Sequence, residues 1–348
     1  MTIRLTAGTD DAGRRLDRIL RRALPDHSLS LIHRLLRQGK IRVDDAPAGP
    51  ETRVQPDAVI QIETQREPKP RSEPSRENRA PQASLPDILA NGAGIIVFNK
   101  PAGLASHGPE SLDTLVKAHH ARERQSARSL SFRPGPLHRL DRPTSGAIAF
   151  SENLAGARLF SELLREGRIA KTYLAIVEGR PAVSRGPAVS REPIVKPKST
   201  GEMIWRDPLR RDGAARKTLV ATARDTDGSL AAETRARLLA SGDRYSLMEL
   251  EISTGRTHQI RAQAAAHGYP LAGDLKYGGH PIQGHPKADR DAGGFFLHAW
   301  KIEFDRDIDG LPRIVRAPLS RPFLALLRVF FGERLAEKYA DRKFGTLP

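Results

Sequence analysis

The 348-residue sequence contains no cysteine. Without cysteine the chain cannot form disulfide bonds, thiolate metal sites or a cysteine nucleophile. It also lacks any apolar run near the roughly 20 residues that a membrane-spanning helix needs. The start, MTIRLTAGTDDAGRRLD, has no apolar core of the kind that signal peptides carry. We therefore expect a cytoplasmic protein that does not enter a membrane.

Absent motifs exclude several classes of enzyme. The sequence has no P-loop, no G-x-G-x-x-G after a predicted strand and no cluster of residues at metal-ligand spacing. HRLD at 138–141 is similar to the catalytic loop of protein kinases, but no Gly-rich loop or DFG accompanies it. We expect a protein that uses neither a metal nor a cofactor.

Positive charge is what the chain has in excess. Lys and Arg number 57 against 41 Asp and Glu, which gives a formal net charge of +16 and a sequence pI of about 10.5. Arg supplies most of the excess, and its planar guanidinium binds phosphate oxygens in pairs. A folded chain of this charge is expected to bind nucleic acid. An anionic membrane surface is the weaker alternative.

The first unit, residues 1–65, is predicted to be a small α/β module. Apolar residues at helical spacing predict two helices, one from about 14 to 24 and one ending near Gly39. Ser28 or Ser30 is the expected cap of the second helix. Short strands are predicted at 41–43 and 58–62.

The two predicted helices are strongly basic. Eight Lys and Arg residues lie between positions 14 and 40, against two Asp, so the module presents a cationic face suited to phosphate. A merely solvated charged face is the alternative. The candidate RNA contacts are Arg14, Arg15, Arg34, Arg37 and Lys40.

Residues 66–88 are predicted to be a flexible linker, because they combine Pro with alternating charges and have no apolar stripe. Fully extended at about 3.3 Å per residue, residues 66 to about 85 of this segment would reach roughly 60 Å. The first module would then bind RNA at some distance from the rest of the chain. Residues 89–335 form the predicted second domain, and 336–348 form a C-terminal tail.

The second domain is predicted to be α+β with a mostly antiparallel sheet, because the SGDR turn at 241–244 joins two strand-like segments into a hairpin. Alternation in the predicted strand 168–178 places Tyr173, Ala175 and Val177 on one face. Residues 180–216, dense in Pro and Arg, are predicted to be an irregular surface insertion. Further strands are predicted at 95–98, 147–150, 217–223, 233–240, 245–253 and 295–304, and helices at 112–120, 151–166, 257–267 and near the C terminus.

The stretch 137–150, LHRLDRPTSGAIAF, is the strongest candidate for a functional site. Asp141 lies between Arg139 and Arg142, immediately before the turn formed by Pro143–Gly146. A carboxylate held on a tight turn between permanent positive charges is a costly arrangement for a surface loop. An ordinary loop with an exposed ion pair is the alternative, and the local sequence alone favours it.

A second candidate segment is 254–279, TGRTHQIRAQAAAHGYPLAGDLKYGG. Thr257 is predicted to cap a helix that runs to His267. His258 and Arg261 share one face of that helix, because residues three apart are neighbours. The helix follows a predicted strand directly, so both side chains can reach a site built on the sheet.

Four blocks of the second domain resemble the RluA-type family of pseudouridine synthases. They occur in the family's order and are NKPAG (99–103), HRLDRPTSG (138–146), KTYLAIVEG (171–179) and TGRTHQIRAQAAAHGYPLAGDLKYGG (254–279). The N-terminal stretch from RRLDRILRR to GKIRVDDAP, with AVIQIE, resembles the RNA-binding module named after ribosomal protein S4. Such a module is common in the family's large-subunit ribosomal RNA enzymes.

The resemblance implies a cofactor-free isomerase that converts specific uridines, most of all in large-subunit ribosomal RNA, to pseudouridine. It assigns the catalytic nucleophile or base to Asp141, its basic partner to Arg261 and the aromatic that stacks on uracil to Tyr173. It implies that Arg139 enters the space left by the flipped target nucleotide.

Arg142, Arg256 and His258 are expected to be RNA-facing or structural contacts. His138 and His258 have no third ligand at suitable spacing, so both are expected to be hydrogen-bonding residues rather than metal ligands.

Three alternatives remain open from the sequence. The chain is a pseudouridine synthase acting on tRNA, a non-catalytic RNA-binding or ribosome-assembly factor on the same fold, or a hydrolase that uses Asp141 with His138. The presence of Asp141, Tyr173 and Arg261 together favours catalysis, because RNA binding alone does not need that trio. A monomer is expected.

Overall fold

A computed structural model describes residues 1–64, 84–123, 129–181, 202–222, 228–282 and 294–340. The helices are α1 Leu16–Ala23, α2 Leu29–Arg37, α3 Leu112–Glu123, α4 Leu154–Arg165, α5 Gln259–Ala266, α6 Arg321–Phe331 and α7 Glu333–Ala340. The strands are β1 Thr2–Thr6, β2 Ile41–Val43, β3 Ala46–Pro47, β4 Val59–Glu63, β5 Ile88–Gly92, β6 Ile95–Lys100, β7 Gly135–Pro136, β8 Ser145–Ser151, β9 Ile169–Glu178, β10 Glu202–Asp212, β11 Lys217–Val220, β12 Leu230–Ser241, β13 Tyr245–Ile252, β14 Leu297–Phe304 and β15 Ile314–Arg316. Within these ranges no helix has the length and apolar character needed to cross a membrane.

The N-terminal module is a four-stranded antiparallel sheet packed against α1 and α2. Its strand order is β1-β4-β2-β3. The apolar positions of both helices are buried against the sheet, as their spacing predicted. Ser28 caps α2, where its Oγ accepts a hydrogen bond from the N–H of Leu31 at 3.2 Å. The basic side chains are therefore left on the outer surface of the module.

The second domain contains an eleven-stranded sheet. Nine strands follow one another in the order β11-β10-β12-β13-β9-β14-β8-β6-β5, with β7 beside β8 and β15 beside β14. Among the described strand pairs only β8 with β14 is parallel. The predicted α+β class with a mostly antiparallel, mixed sheet is confirmed.

Strand β9 separates two apolar layers. Tyr173, Ala175 and Val177 belong to the layer that contains α5, while Leu174 and Ile176 belong to the layer that contains α6. The alternation predicted for this strand is therefore confirmed. The α5 side is the one on which the candidate site lies.

The prediction of an irregular segment at 180–216 is wrong for its second half. Residues 202–212 form β10, which pairs with β12 on one side and β11 on the other; 182–201 lie outside the described residues. The sequence did not predict this strand because it contains Pro208 and several charged residues. The Pro208 carbonyl accepts a hydrogen bond from the N–H of Ala221, just past the end of β11. The proline nitrogen faces the same side, so no pairing with β12 is lost.

The C-terminal boundary of the second domain also differs from expectation. Helix α7 runs to Ala340 and buries Ala336 completely, so packed structure continues past residue 335, where a tail was expected. Residues 341–348 and residues 66–83 of the expected linker lie outside the described residues.

Candidate active site

Asp141 lies on the turn that leads into β8. Its backbone carbonyl accepts a hydrogen bond from the N–H of Thr144 at 3.0 Å, which closes the turn. Gly146 follows with a φ of +108°, and a Cβ at this position would come within 2.2 Å of the carbonyl oxygen of Ala299. Glycine is therefore needed for β8 to lie beside β14, and this close approach fixes the position of the Asp141 turn.

Arg261 connects two aspartates. From α5, its Nη1 donates to Oδ2 of Asp141 at 3.1 Å. Its Nε and Nη2 donate to the two carboxylate oxygens of Asp274 at 2.7 and 2.8 Å. The side chains of Arg261 and Asp274 are only 8% and 1% exposed, against 25% for Asp141. Of the three groups, Asp141 is thus the one that a ligand from solution can reach.

The surroundings keep Arg261 charged. Burial alone would lower the pKa of Arg261, but Asp274 first and Asp141 second raise it above its ordinary value. The guanidinium also lies over two aromatic rings, with Cζ 4.4 Å from the ring centre of Phe295 and 4.7 Å from that of Tyr277. Arg261 is therefore a fixed cation paired with two carboxylates, and the formal charges of Arg261, Asp141 and Asp274 sum to −1.

Tyr173 lies on β9, in the same apolar layer as Leu140. Burial, and then the charge of Asp141, raise the pKa of Tyr173 well above its ordinary value. The phenol is therefore neutral at any physiological pH.

His258 does not lie within the helix as predicted. It is the N-cap of α5, with a left-handed φ of +52°, and Thr257 does not cap the helix. From this position Nε2 lies 3.8 Å from Oδ2 of Asp141, and Nδ1 lies 2.9 Å from the hydroxyl of Tyr277. Burial lowers the pKa of His258 more than Asp141 raises it, so the ring beside Asp141 is neutral at pH 7.

His138 has a structural position. Its Nε2 accepts a hydrogen bond from the N–H of Ala149 at 3.0 Å, and its ring stacks on Phe160. Burial, with a contribution from the charge of Lys171, lowers the pKa of His138 to about 3. A ring occupied in this way is not available as a base, which argues against a hydrolase that uses His138.

Sequence reasoning assigned no role to two buried charged residues at the site, Asp274 and Lys100. The Nζ of Lys100 donates to three backbone carbonyls, those of Pro101, Leu104 and Arg142, at 3.0, 2.6 and 3.2 Å. Burial lowers the pKa of Lys100 to about 7, yet three acceptors match the three N–H groups of the charged form. Lys100 therefore ties the 101–104 loop to the turn that carries Asp141. Lys100 lies in the NKPAG block, and Asp274 lies in LAGDLKYGG, the end of the 254–279 block. Their positions within these family-like blocks were the signal in the sequence that could have identified them as site residues.

The arginines around the turn divide into two groups. Arg142 donates through Nε to the carbonyl of Gly103 at 2.8 Å, and Arg256 donates through Nε to the carbonyl of Ala231 at 3.4 Å. Arg139 is exposed beside Asp141. The guanidinium that contacts Asp141 is thus that of Arg261, far along the chain, as the family resemblance implied.

The N-terminal candidates also differ from one another. Arg15 is paired with Asp17 and Glu51, at 2.9 and 2.8 Å. Arg34 and Arg37 are exposed on α2, and Lys40 is half-buried. A cleft of about 640 Å³ is lined by four arginines of the first helical region, Arg14, Arg18, Arg21 and Arg22. In the described residues no group of three or more His, Asp and Glu is arranged to hold a metal ion.

Family models match both units of the chain. The model described as RNA pseudouridylate synthase matches residues 94–266, and the model described as S4 domain matches residues 14–60. The match to the RNA pseudouridylate synthase model includes Asp141, Tyr173 and Arg261.

Curated relatives extend over nearly the whole chain. Ribosomal large subunit pseudouridine synthase C of Pasteurella multocida is 30% identical over 319 residues, which cover 91% of this chain and 90% of the relative. The protein of that name in Escherichia coli is 30% identical over 313 residues, 89% and 91% of the two chains. An uncharacterized RNA pseudouridine synthase of Chloroflexus aurantiacus is 33% identical over 319 residues, 90% and 89% of the two chains.

A solved structure shares the fold. Human RNA Pseudouridylate Synthase Domain Containing 4 aligns with a TM-score of 0.51 at 21% identity, over 69% of this chain and 91% of that one.

Proposed function

Because the chain belongs to the RNA pseudouridylate synthase family, it is an isomerase that forms pseudouridine in RNA, and we propose that large-subunit ribosomal RNA is its substrate and Asp141 its nucleophile or base. The observation that carries the role of Asp141 is its contact with Arg261, a cation already held by Asp274. The substrate proposal is supported by the names of relatives that match nine-tenths of the chain.

The reaction exchanges one glycosidic bond for another. The bond between N1 of uracil and C1′ of ribose breaks, the base turns, and a bond between C5 and C1′ forms. C5 loses a proton and N1 gains one, so no oxidant, reductant or energy source is consumed. We accordingly propose that the enzyme uses no cofactor. We also propose that it is cytoplasmic and monomeric.

Asp141 is suited to start this exchange. Arg261 and His258 both approach its Oδ2, which leaves Oδ1 for the nucleoside. Attack on the base, attack on the sugar and removal of a sugar proton all require the carboxylate to be anionic and accessible at the outset. The single bond to Arg261 pairs the carboxylate with a cation, and its partial exposure keeps it accessible.

Asp274 keeps Asp141 reactive. A carboxylate in a tight, exclusive ion pair is a weak base and nucleophile, because the cation stabilises its charge. Here Asp274 takes two of the guanidinium bonds at 2.7 and 2.8 Å, and Asp141 takes one at 3.1 Å. The bond from Arg261 therefore orients the Asp141 carboxylate while neutralising only part of its negative charge.

The remaining residues serve the base and the RNA. Tyr173 offers a neutral aromatic ring on which uracil stacks, with its hydroxyl near the proton that leaves C5. Arg139 fills the space of the flipped nucleotide, which offsets part of the few kcal/mol that unstacking costs. Arg142, Arg256 and His258 contribute contacts at the rim of the site.

Mapping pseudouridines in total RNA, from cells with and without this protein, tests the substrate. We expect loss of pseudouridine at particular positions of large-subunit ribosomal RNA. Loss confined to tRNA would replace the substrate proposal with the tRNA alternative. An unchanged map, with normal RNA binding, would favour a non-catalytic factor on the same fold.

A further inference from the structure

A buried carboxylate joins the two RNA-binding units. Asp11 ends a short 3-10 turn, Thr9–Asp11, that follows β1 in the N-terminal module, and it is fully buried. Of the hydrogen bonds that its carboxylate accepts from the described residues, one is made within the module, where Oδ2 accepts from the N–H of Gly8 at 3.0 Å. A charged group without solvent must be satisfied by other partners.

Those partners come from the catalytic domain. Oδ1 of Asp11 accepts from the hydroxyl of Ser129 at 2.8 Å and from the N–H of Ser131 at 3.1 Å, and Oδ2 accepts from the N–H of Leu130 at 2.7 Å. The hydroxyl of Ser131 donates to Oδ1 as well. Segment 129–131 is thus a socket for one carboxylate, built from two serine hydroxyls and two backbone N–H groups.

Two further contacts support the same arrangement. Asp10, the preceding residue, accepts from the N–H of Leu154 at 3.1 Å, at the start of α4, where an acidic group is favourable. The Leu130 side chain packs against the apolar core of the N-terminal module. Polar and apolar contacts therefore hold the module at one place on the catalytic domain, in contrast to the distant docking that the long linker suggested.

We propose that Asp11 locks the N-terminal module onto the catalytic domain, so that the arginine-lined cleft and the Asp141 site bind one structured RNA as a single rigid surface. The inference rests on the proposed RNA substrate. Double-stranded and folded RNA is recognised mainly by shape, and two surfaces at a fixed separation select RNAs whose folds present both contacts at once. Asp11 is then a specificity-determining residue that touches no RNA.

The test compares Asp11→Asn with Asp26→Asn, which removes the same charge from an exposed position of the same module. Small-angle scattering measures whether the units separate. The rate of pseudouridine formation is measured on a long ribosomal RNA fragment and on a short stem-loop with the same uridine. For Asp11→Asn we expect a larger radius of gyration and a drop of about tenfold in kcat/KM on the long fragment, a size typical of losing hydrogen bonds to a buried charge. Its rate on the stem-loop, and both properties of Asp26→Asn, should match the wild type.

An unchanged scattering profile for Asp11→Asn, or an equal loss on both RNAs, would overturn the proposal. If Asp11→Asn does not fold, the double variant Ser129→Ala, Ser131→Ala is used instead. It removes the two hydroxyl donors that the catalytic domain provides to Asp11, and the same scattering and rate measurements then test the proposal. If the wild type modifies neither RNA, the substrate proposal fails, while the scattering comparison still tests the lock.

Discussion

Arg261 gives two of its N–H groups to Asp274 and only one to Asp141. The buried carboxylate, which RNA cannot reach, therefore holds the cation more firmly than the accessible one does. In the proposed mechanism, this unequal sharing separates the residue that positions the guanidinium, Asp274, from the residue that acts on the nucleoside, Asp141.

Asp274→Asn should lower kcat by about tenfold to a hundredfold, the usual cost of losing a residue that orients a catalytic group. Arg261 would then be freer to pair fully with Asp141 and weaken it as a nucleophile or base. The KM for RNA should stay the same, because Asp274 is only 1% exposed. Asp305→Asn is the control, since Asp305 pairs with Arg168 at the surface. A rise in KM without a fall in kcat would contradict this role.

Tyr173→Phe separates the ring from the hydroxyl. Burial and the charge of Asp141 raise the pKa of Tyr173, so the phenol is neutral and its hydroxyl can accept the proton from C5 only by passing on its own proton in the same step. We expect Tyr173→Phe to bind RNA normally but to lose about a hundredfold in kcat, the lower end for general acid–base groups. Tyr173→Leu should weaken substrate binding as well. If Tyr173→Phe keeps full kcat, the hydroxyl takes no part and only stacking remains.

Arg21→Ser and Arg15→Ser should differ in how RNA affinity depends on salt. Arg21 lines the cleft, while Arg15 is committed to Asp17 and Glu51. Each lost phosphate contact lowers the slope of log affinity against log salt by about 0.7 to 0.9. We expect that decrease for Arg21→Ser and a much smaller one for Arg15→Ser. A slope for Arg21→Ser equal to that of the wild type would contradict phosphate binding at the cleft.

The Asp11 lock should weaken in acid. Burial raises the pKa of Asp11, but hydrogen bonds from Ser131, Leu130 and Gly8 outweigh it and hold the pKa below the ordinary value. A carboxyl with a lowered folded pKa stabilises the protein fully above its unfolded pKa of about 3.9, and this stability is lost as the pH falls through the folded value. The difference in unfolding free energy between wild type and Asp11→Asn should be constant from pH 7 to about 5 and shrink below about 4. A difference that is unchanged at pH 3 would contradict the ionised lock.

The sequence predicted correctly those parts of the fold that follow from the spacing of apolar residues and from turn residues. The faces of β9, the helices of the N-terminal module, the hairpin of β12 and β13 and the α+β class all follow from apolar spacing and turn residues. The pairing of Asp141 with Arg261 came from family resemblance, because 120 residues separate them and no local rule connects them.

The wrong and missing predictions concern features that depend on contacts between side chains rather than on apolar spacing. Helix α5 starts after Thr257 because Gln259 organises the turn: its Oε1 accepts from the hydroxyl of Thr254 and from the N–H of Arg256. Asp274 looked like a loop residue, because its partner on α5 becomes visible only in three dimensions. The docking of the two units depends on Asp11 and segment 129–131, over a hundred residues apart, which no periodicity indicates.

The central claim, that Asp141 carries out the chemistry, is tested most directly by the rate of pseudouridine formation in Asp141→Asn on a large-subunit ribosomal RNA fragment. The substitution keeps the shape of the side chain and removes its charge. We expect RNA affinity close to that of the wild type and a loss of turnover by a factor of about 10³ or more. Turnover within a few-fold of the wild type would contradict the assignment of Asp141.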